Sequence, residues 1–271
     1  MGQLSNIMFD GFDYHHSLDD YPDNEAFFMH CHNYYEIYYF ISGEGKYVIE
    51  GTHYDLKNNS IIIIRPNEFH YFKIERPVRY ERCSLHFNLL NLDKTLSNSL
   101  LLSPFLDRPL GQHNLLQPLI EDNVPNIFKR LEDTTKLPKD ERVLKAQFIL
   151  GELMSTIVTI SKRIEYSIQE DNFPLAAKIL QYINLNISIR LSLEDLSEHF
   201  FISKSHLCHT FKSYSGVSII EYILRKKVAL SKELLDIGKK PTIVAKECGF
   251  GNYSSFYRAY KRITGKSPCN Y

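Results

Sequence analysis

The chain has 271 residues, 44% of them hydrophobic and 24% charged, with 32 basic side chains against 32 acidic ones. That length points to two domains, and the composition excludes a mostly disordered chain, a collagen-like or mucin-like one, and a coiled-coil rod. The neutral total hides a split: residues 174–271 carry 15 Lys+Arg and 7 Asp+Glu, a net +8, whereas residues 1–173 carry 17 and 25, a net −8.

The N-terminal stretch lacks a basic start followed by an apolar run, and Asn6 stands where a myristoylation signal wants Ser or Thr. From Phe27 to Phe87 the chain is rich in Tyr, Ile, Phe and Val and is broken by turn signals at Ser42 to Gly45, Glu50 to Thr52, Lys57 to Asn59 and Arg65 to Asn67. Short strands at that spacing predict an all-β sandwich or barrel. Its longest aliphatic runs, such as Ile61 to Ile64, fall far short of the roughly 20 residues of a membrane span. The five cysteines, Cys31, Cys83, Cys208, Cys248 and Cys269, form no C-x-x-C pair and read as free thiols in a reducing compartment. A cytoplasmic protein with no membrane partner is expected.

Within the barrel segment, His30, His32 and Glu36 share parity, so on a strand two imidazoles and a carboxylate converge inside the barrel while Cys31 points the other way. With His70 they make a donor set for a divalent metal. The same residues also suit an effector pocket without metal, in which His30, His32, Glu36 and His70 bond hydroxyls and Tyr34, Tyr38 and Tyr47 stack on sugar rings. No cofactor is required by that second reading.

After Gly111 the pattern changes. A short helix is predicted from Leu115 to Leu131 and a long amphipathic one from Asp140 to Tyr166, with Val143, Phe148, Leu150, Leu153, Ile157 and Ile160 near helical spacing. Polar residues Ser167 to Asn172 read as a linker, and Pro174 opens a helical region.

That region contains a repeat. Ser205, Leu207, Phe211, Lys212, Gly216 and Ser218 recur as Ser254, Phe256, Tyr260, Lys261, Gly265 and Ser267, all six pairs offset by 49. Each copy follows a short apolar helix and a turn, and Ser192 with Asp195 makes a capping box for the first. The pattern is helix, turn, helix, written twice. In each second helix one face is apolar and packs inward. The other carries Lys204, Ser205, Cys208, His209 and Lys212 in the first copy, and Tyr253, Ser254, Tyr257, Arg258 and Lys261 in the second. Such faces suit the major groove, where Arg grips guanine, Ser and His bond base edges and Lys meets phosphate. Ile219 to Leu235 reads as a linker helix of 17 residues, roughly 25 Å long, a spacing on the order of one DNA turn. A solvated helix face explains any single one of these cations; it does not explain the duplication or the +8 charge.

The segments Leu191 to Leu196, Ser203 to Leu207, Phe211-Lys212 to Gly216, Glu221 to Ile223, Gly249-Phe250, Ser255 to Arg258 and Gly265 to Pro268 resemble the AraC/XylS family of transcription regulators over the last hundred residues. His30-x-His32, Glu36 and Gly43 resemble the first cupin motif, and His70 after Pro66 resembles the histidine of the second, which here lacks its Gly. Two positions depart from the family: His209 where Arg is usual, and Pro241 where an apolar residue opens the second unit. The resemblance implies an N-terminal cupin-like all-β barrel with appended helices and a C-terminal all-α domain with two helix-turn-helix units. The expected domains are a sensing barrel over 1–112, a helical dimerisation segment over 113–166, a linker over 167–173 and a DNA-binding domain over 174–271. The expected function is that of a sequence-specific regulator, an activator rather than an enzyme. Its partners would be promoter DNA, a second copy of itself and a small effector, by family resemblance a carbohydrate. A metal-dependent cupin enzyme or a metal sensor fused to a DNA-binding domain stands as the alternative.

Overall fold

A computed structural model describes residues 2–9, 11–22, 27, 29–88, 96, 98–163 and 174–269. They form two compact units: one spans residues 1–168 and the other 169–271, apart from 31–33 and 50–52, which group with the second. The expected linker at 167–173 lies outside the described residues.

The first unit is built on two antiparallel sheets. Its strands are β1 (Gly2–Met8), β2 (Phe12–Asp19), β3 (Tyr35–Ser42), β4 (Gly45–Ile49), β5 (Thr52–Asp55), β6 (Ser60–Ile64), β7 (His70–Ile74), β8 (Tyr80–Phe87) and β9 (Leu115–Leu116). Six of them run in the order β1-β2-β8-β3-β6-β9, and the remaining three in the order β5-β4-β7. β1 and β2 precede the segment in which the sequence predicted strands, because their mixed polar content hides the alternation.

Period-2 alternation gives the large sheet two faces. Tyr35, Ile37 and Tyr39 of β3, Ile61 and Ile63 of β6, Cys83, Leu85 and Phe87 of β8, and Phe12 and Tyr14 of β2 share one buried cluster with the helices α1 (Ser99–Leu106), α2 (Val124–Asp133) and α3 (Lys139–Arg163). On the other face Tyr38, Phe40, Ile62, Ile64 and Tyr80 meet Tyr47, Ile49, Phe72 and Ile74 of the small sheet in a second cluster. The stacked rings of Phe72 and Tyr80 lie 4.4 Å apart, and the tilted rings of Tyr38 and Tyr47 4.7 Å apart. Burial of both faces explains why β3 reads as a nearly continuous apolar run.

The helix predicted from Leu115 starts later. Leu115 and Leu116 pair with Ile62 and Ile61 as β9, and Pro118 stands where a helix would need an N–H donor. A helical turn follows at Ile120–Asp122, and α2 begins after Asn123, with Pro125 in its first turn. α3 matches the predicted long helix as far as Arg163, and its expected last residues, 164–166, lie outside the described residues. By length and hydropathy it would suffice to cross a membrane, but Leu150, Leu153, Met154 and Ile157 are buried against the sheet, which accounts for its composition.

Among the described residues from 174 on, the regular elements are helices: α4 (Leu175–Leu185), α5 (Leu193–His199), α6 (Lys204–Ser215), α7 (Ile219–Asp236), α8 (Pro241–Glu247) and α9 (Tyr253–Thr264). Leu196, Leu207 and Phe211 are fully buried in the first half, and Val244, Cys248, Phe256 and Tyr260 in the second. α7 is the predicted spacer, one residue longer than expected, and packs on α6 as well as on α8 and α9.

Candidate nucleic-acid interface and barrel site

The repeat in the sequence is a repeat in the backbone. α6 and α9 each have 12 residues and start 49 positions apart. Ser203 caps α6 by accepting from the His206 N–H at 3.2 Å, and Asn252 caps α9 by accepting from the Ser255 N–H at 2.8 Å. Gly216 and Gly265 end them in left-handed backbone, at φ 81° and 73°. The preceding helices α5 and α8 are offset by 48, because the turn of the second unit has one residue more, Cys248 to Asn252 against Phe200 to Ser203. Both turns need one left-handed residue: Gly249 supplies it at φ 67° and Phe201 at φ 54°.

All ten residues expected to meet DNA reach the surface. Lys204, Ser205, His209, Lys212, Ser254, Arg258 and Lys261 are exposed, and Cys208, Tyr253 and Tyr257 half-buried. The opposite faces, through Leu207 and Phe211 and through Phe256 and Tyr260, are buried. Some of the cations are engaged within the unit. Lys204 pairs with Glu194, and Arg262, which the sequence reading did not select, bonds Glu221 at 2.7 Å and ties α9 to the start of α7. The exposed His206 also lies on α6 and was not selected, because its spacing places it between the two faces.

The two halves of this unit meet over a backbone contact that no motif signals. Lys227 of α7 donates to the carbonyl of Ile189, before α5, at 2.8 Å and to that of Gly249, in the turn before α9, at 2.5 Å. Burial pulls the Lys227 ammonium down to about 8. A Cβ on Gly249 would stand 2.6 Å from the Ser188 carbonyl oxygen and 2.7 Å from that of Ile189, so only glycine permits this approach.

In the barrel unit, the parity argument for His30, His32 and Glu36 fails, because β3 starts only at Tyr35 and His30 instead forms a single bridge with His70. Convergence comes from tertiary packing. The rings of His30 and His70 are 4.4 Å apart, whereas His32 groups with the second unit. His70 is fully buried, its Nδ1 is 2.7 Å from the Glu68 carbonyl oxygen, and its Nε2 faces Glu36 at 3.4 Å. Tyr38 and Tyr47 are buried among the aromatic rings of the inner cluster. Tyr34 lies elsewhere, its ring 4.7 Å from that of His86.

No spacing pattern in the sequence gives His86 a partner, and the sheet gives it several. On the inner face it stands opposite Glu36 of β3 on one side and Asp13 of β2 on the other. Its Nε2 is 3.7 Å from Glu36 and its Nδ1 is 3.4 Å from Asp13. Burial alone would lower its pKa, but the hydrogen bonds and charges of Asp13 and Glu36 outweigh that and raise it to about 9. His70, Glu36, His86 and Asp13 therefore form an alternating row of base and acid across four strands, β7, β3, β8 and β2. A cavity of about 210 Å³, lined in part by Asp13, Tyr34 and His86, opens on its end.

Comparison with known proteins fits both units. Residues 17–137 match the AraC-like ligand-binding domain, and residues 196–271 match a helix-turn-helix domain. The probable transcriptional regulator LumQ of Photobacterium leiognathi is 37% identical over 91 residues, 33% of this chain and 37% of that protein. The uncharacterized HTH-type transcriptional regulator YfiF of Bacillus subtilis is 25% identical over 249 residues, 89% of this chain and 77% of that one. The chain thus spans little more than a third of LumQ but most of YfiF. Among solved structures, ToxT from Vibrio cholerae aligns over 96% of both chains at 17% identity and a TM-score of 0.38. The DNA-binding domain of AdpA, solved with a target DNA, aligns over 35% of this chain and 87% of its own at 21% identity and a TM-score of 0.34.

Proposed function

We infer that this chain, a member of the AraC/XylS family of transcription regulators, binds promoter DNA through α6 and α9 and is switched by a small molecule held in its barrel. The observation that carries the reading is the duplicated pair of capped 12-residue helices, each with an apolar face buried and a polar, partly cationic face exposed. In this reading Ser205, Cys208, His209, Ser254, Tyr257 and Arg258 meet base edges, while Lys204, Lys212, Tyr253 and Lys261 meet phosphates. The effector is a small polar molecule, a carbohydrate in the first instance, bonded by the barrel's His and Glu groups at His30, His32, Glu36 and His70, with Tyr38 and Tyr47 behind them. Ligand binding then selects between DNA-bound geometries of a dimer and activates transcription. The protein is a regulator and not an enzyme in this reading.

Selection of binding sites from random duplex DNA, followed by titration at several salt concentrations, tests it. An enriched sequence with affinity that falls as salt rises is expected. Arg258→Ala should cost about 1–3 kcal/mol and relax preference at one base position, and Lys261→Ala should reduce the salt slope by about one. Failure to enrich any sequence would overturn the reading.

A second reading is favoured by the imidazoles. Three imidazoles, His30, His32 and His70, and the Glu36 carboxylate are N/O donor types that suit a divalent transition cation, and His70 Nε2 faces Glu36 at 3.4 Å. The barrel would then be a metal sensor, and His32→Ala would abolish the response to metal while leaving DNA binding intact.

A further inference from the structure

We propose that Asp13, His15 and His86 form a second cation site in the barrel unit, one that takes a divalent transition ion of the zinc class. The site is distinct from the cupin-motif cluster and lies at the opposite end of the acid-base row. Asp13 and His15 are two apart on β2 and so project from the same face of the sheet, and Asp13 is the direct cross-strand partner of His86 on β8. One carboxylate oxygen, Oδ2 of Asp13, lies 2.8 Å from His15 Nε2 and 3.4 Å from His86 Nδ1. The three donor atoms lie within 4.8 Å of one another.

Those separations are near what a cation imposes. With ligands at about 2.0–2.2 Å in tetrahedral geometry, donor atoms stand roughly 3.3–3.5 Å apart, so Asp13 and His86 already stand at that spacing, His15 moves off Asp13 by about half an ångström, and the two imidazoles close from a separation within 4.8 Å. The donor chemistry, two imidazoles and a carboxylate, favours zinc and its neighbours over calcium or magnesium. The other ring nitrogen of His86 faces the Glu36 carboxylate at 3.7 Å, an acceptor placed where the outer partner of a metal-bound histidine would stand. Asp13, His15 and His86 are each half-buried, and the cavity of about 210 Å³ that Asp13 and His86 line gives the ion an entry path and room for a water as fourth ligand. An ordinary charge-paired network between β2 and β8 would explain the contacts between these side chains. It does not explain three donors converging beside an opening.

The test is a Co²⁺ titration of the full-length chain after chelator treatment, read by visible absorption, with Zn²⁺ competition read by calorimetry. A tetrahedral Co²⁺ band displaced by Zn²⁺ is expected. His15→Ala and Asp13→Asn, the latter keeping the shape of the side chain, should each remove that band, while His30→Ala in the cupin-motif cluster should leave it in place. Thermal unfolding of each variant checks that the barrel is intact. The proposal is overturned if the wild-type chain binds neither ion, if neither His15→Ala nor Asp13→Asn lowers the band below that of the wild type, or if His30→Ala alone removes the whole of it. None of these readouts involves DNA, so the outcome is independent of the regulatory reading.

Discussion

Lys227 donates its ammonium to the Gly249 carbonyl at 2.5 Å, and through its second bond to Ile189 it joins the loop before the first helix-turn-helix to the turn of the second. The relative placement of α6 and α9 therefore depends on one buried lysine of the helix between them. Because burial lowers its pKa to about 8, the unfolded chain holds that proton more tightly than the folded one between pH 8 and about 10.4. There the unfolded state binds more protons, so this group's contribution to stability rises with pH. In Lys227→Met the contribution is absent. Urea unfolding of both proteins across pH 7–10 should show the wild type gaining stability on the variant above pH 8, and a constant or narrowing gap would refute the assignment.

Gly249 is tested from the other side of the same contact. Gly249→Ala introduces a Cβ 2.6 Å from a backbone oxygen in left-handed backbone and should cost about 1–3 kcal/mol. In a DNA-binding assay the loss should exceed that of Gly251→Ala, a glycine whose Cβ would meet nothing within 4 Å.

Phe201 predicts the opposite sign. It occupies in the first turn the left-handed position that Gly249 holds in the second, and its side chain is 95% exposed, so it gains little from packing. Phe201→Gly removes the backbone strain and should raise stability by about 0.5–1 kcal/mol, seen as a higher urea midpoint. A drop would mean that the ring is held by contacts in solution.

In the barrel unit Arg108 grips Glu68 with two bonds of 2.7 Å, both side chains fully buried, and the Gly111 N–H adds a third bond to the carboxylate. Burial would raise the Glu68 pKa, but Arg108 and Arg65 hold it at about 2. Arg108→Met should cost about 3–5 kcal/mol by leaving the buried Glu68 charge with only Arg65 opposite it, and adding Glu68→Leu should recover part of that loss. Thermal melts of the single and double variants measure the difference.

The dimer can be tested on α3. Leu144 and Phe148 are one helical turn apart and 57% and 71% exposed, an apolar pair on the face turned away from the sheet. If this face is the dimer contact, Leu144→Glu with Phe148→Glu should convert a dimer to a monomer in sedimentation, with little change in melting temperature.

Some of this was written in the residues themselves. The offset of 49, the Ser192 capping box and the apolar spacing of α6 and α9 fixed two helix-turn-helix units, because helix periodicity, caps and turn glycines act within a few residues of one another. The split of +8 and −8 assigned opposite roles to the two halves for the same reason, since charge is a local count. Tertiary structure alone decided the rest. His86 had no partner within reach along the chain; it acquired Asp13 and Glu36 because β8 inserts between β2 and β3, strands distant in sequence. His30 and His70 met through a bridge, not through strand parity. Lys227 found Ile189 and Gly249 only when two helical units closed around α7. Sheet order and helix packing bring together residues tens of positions apart, and no pattern of period 2 or 3.6 encodes which of them will touch.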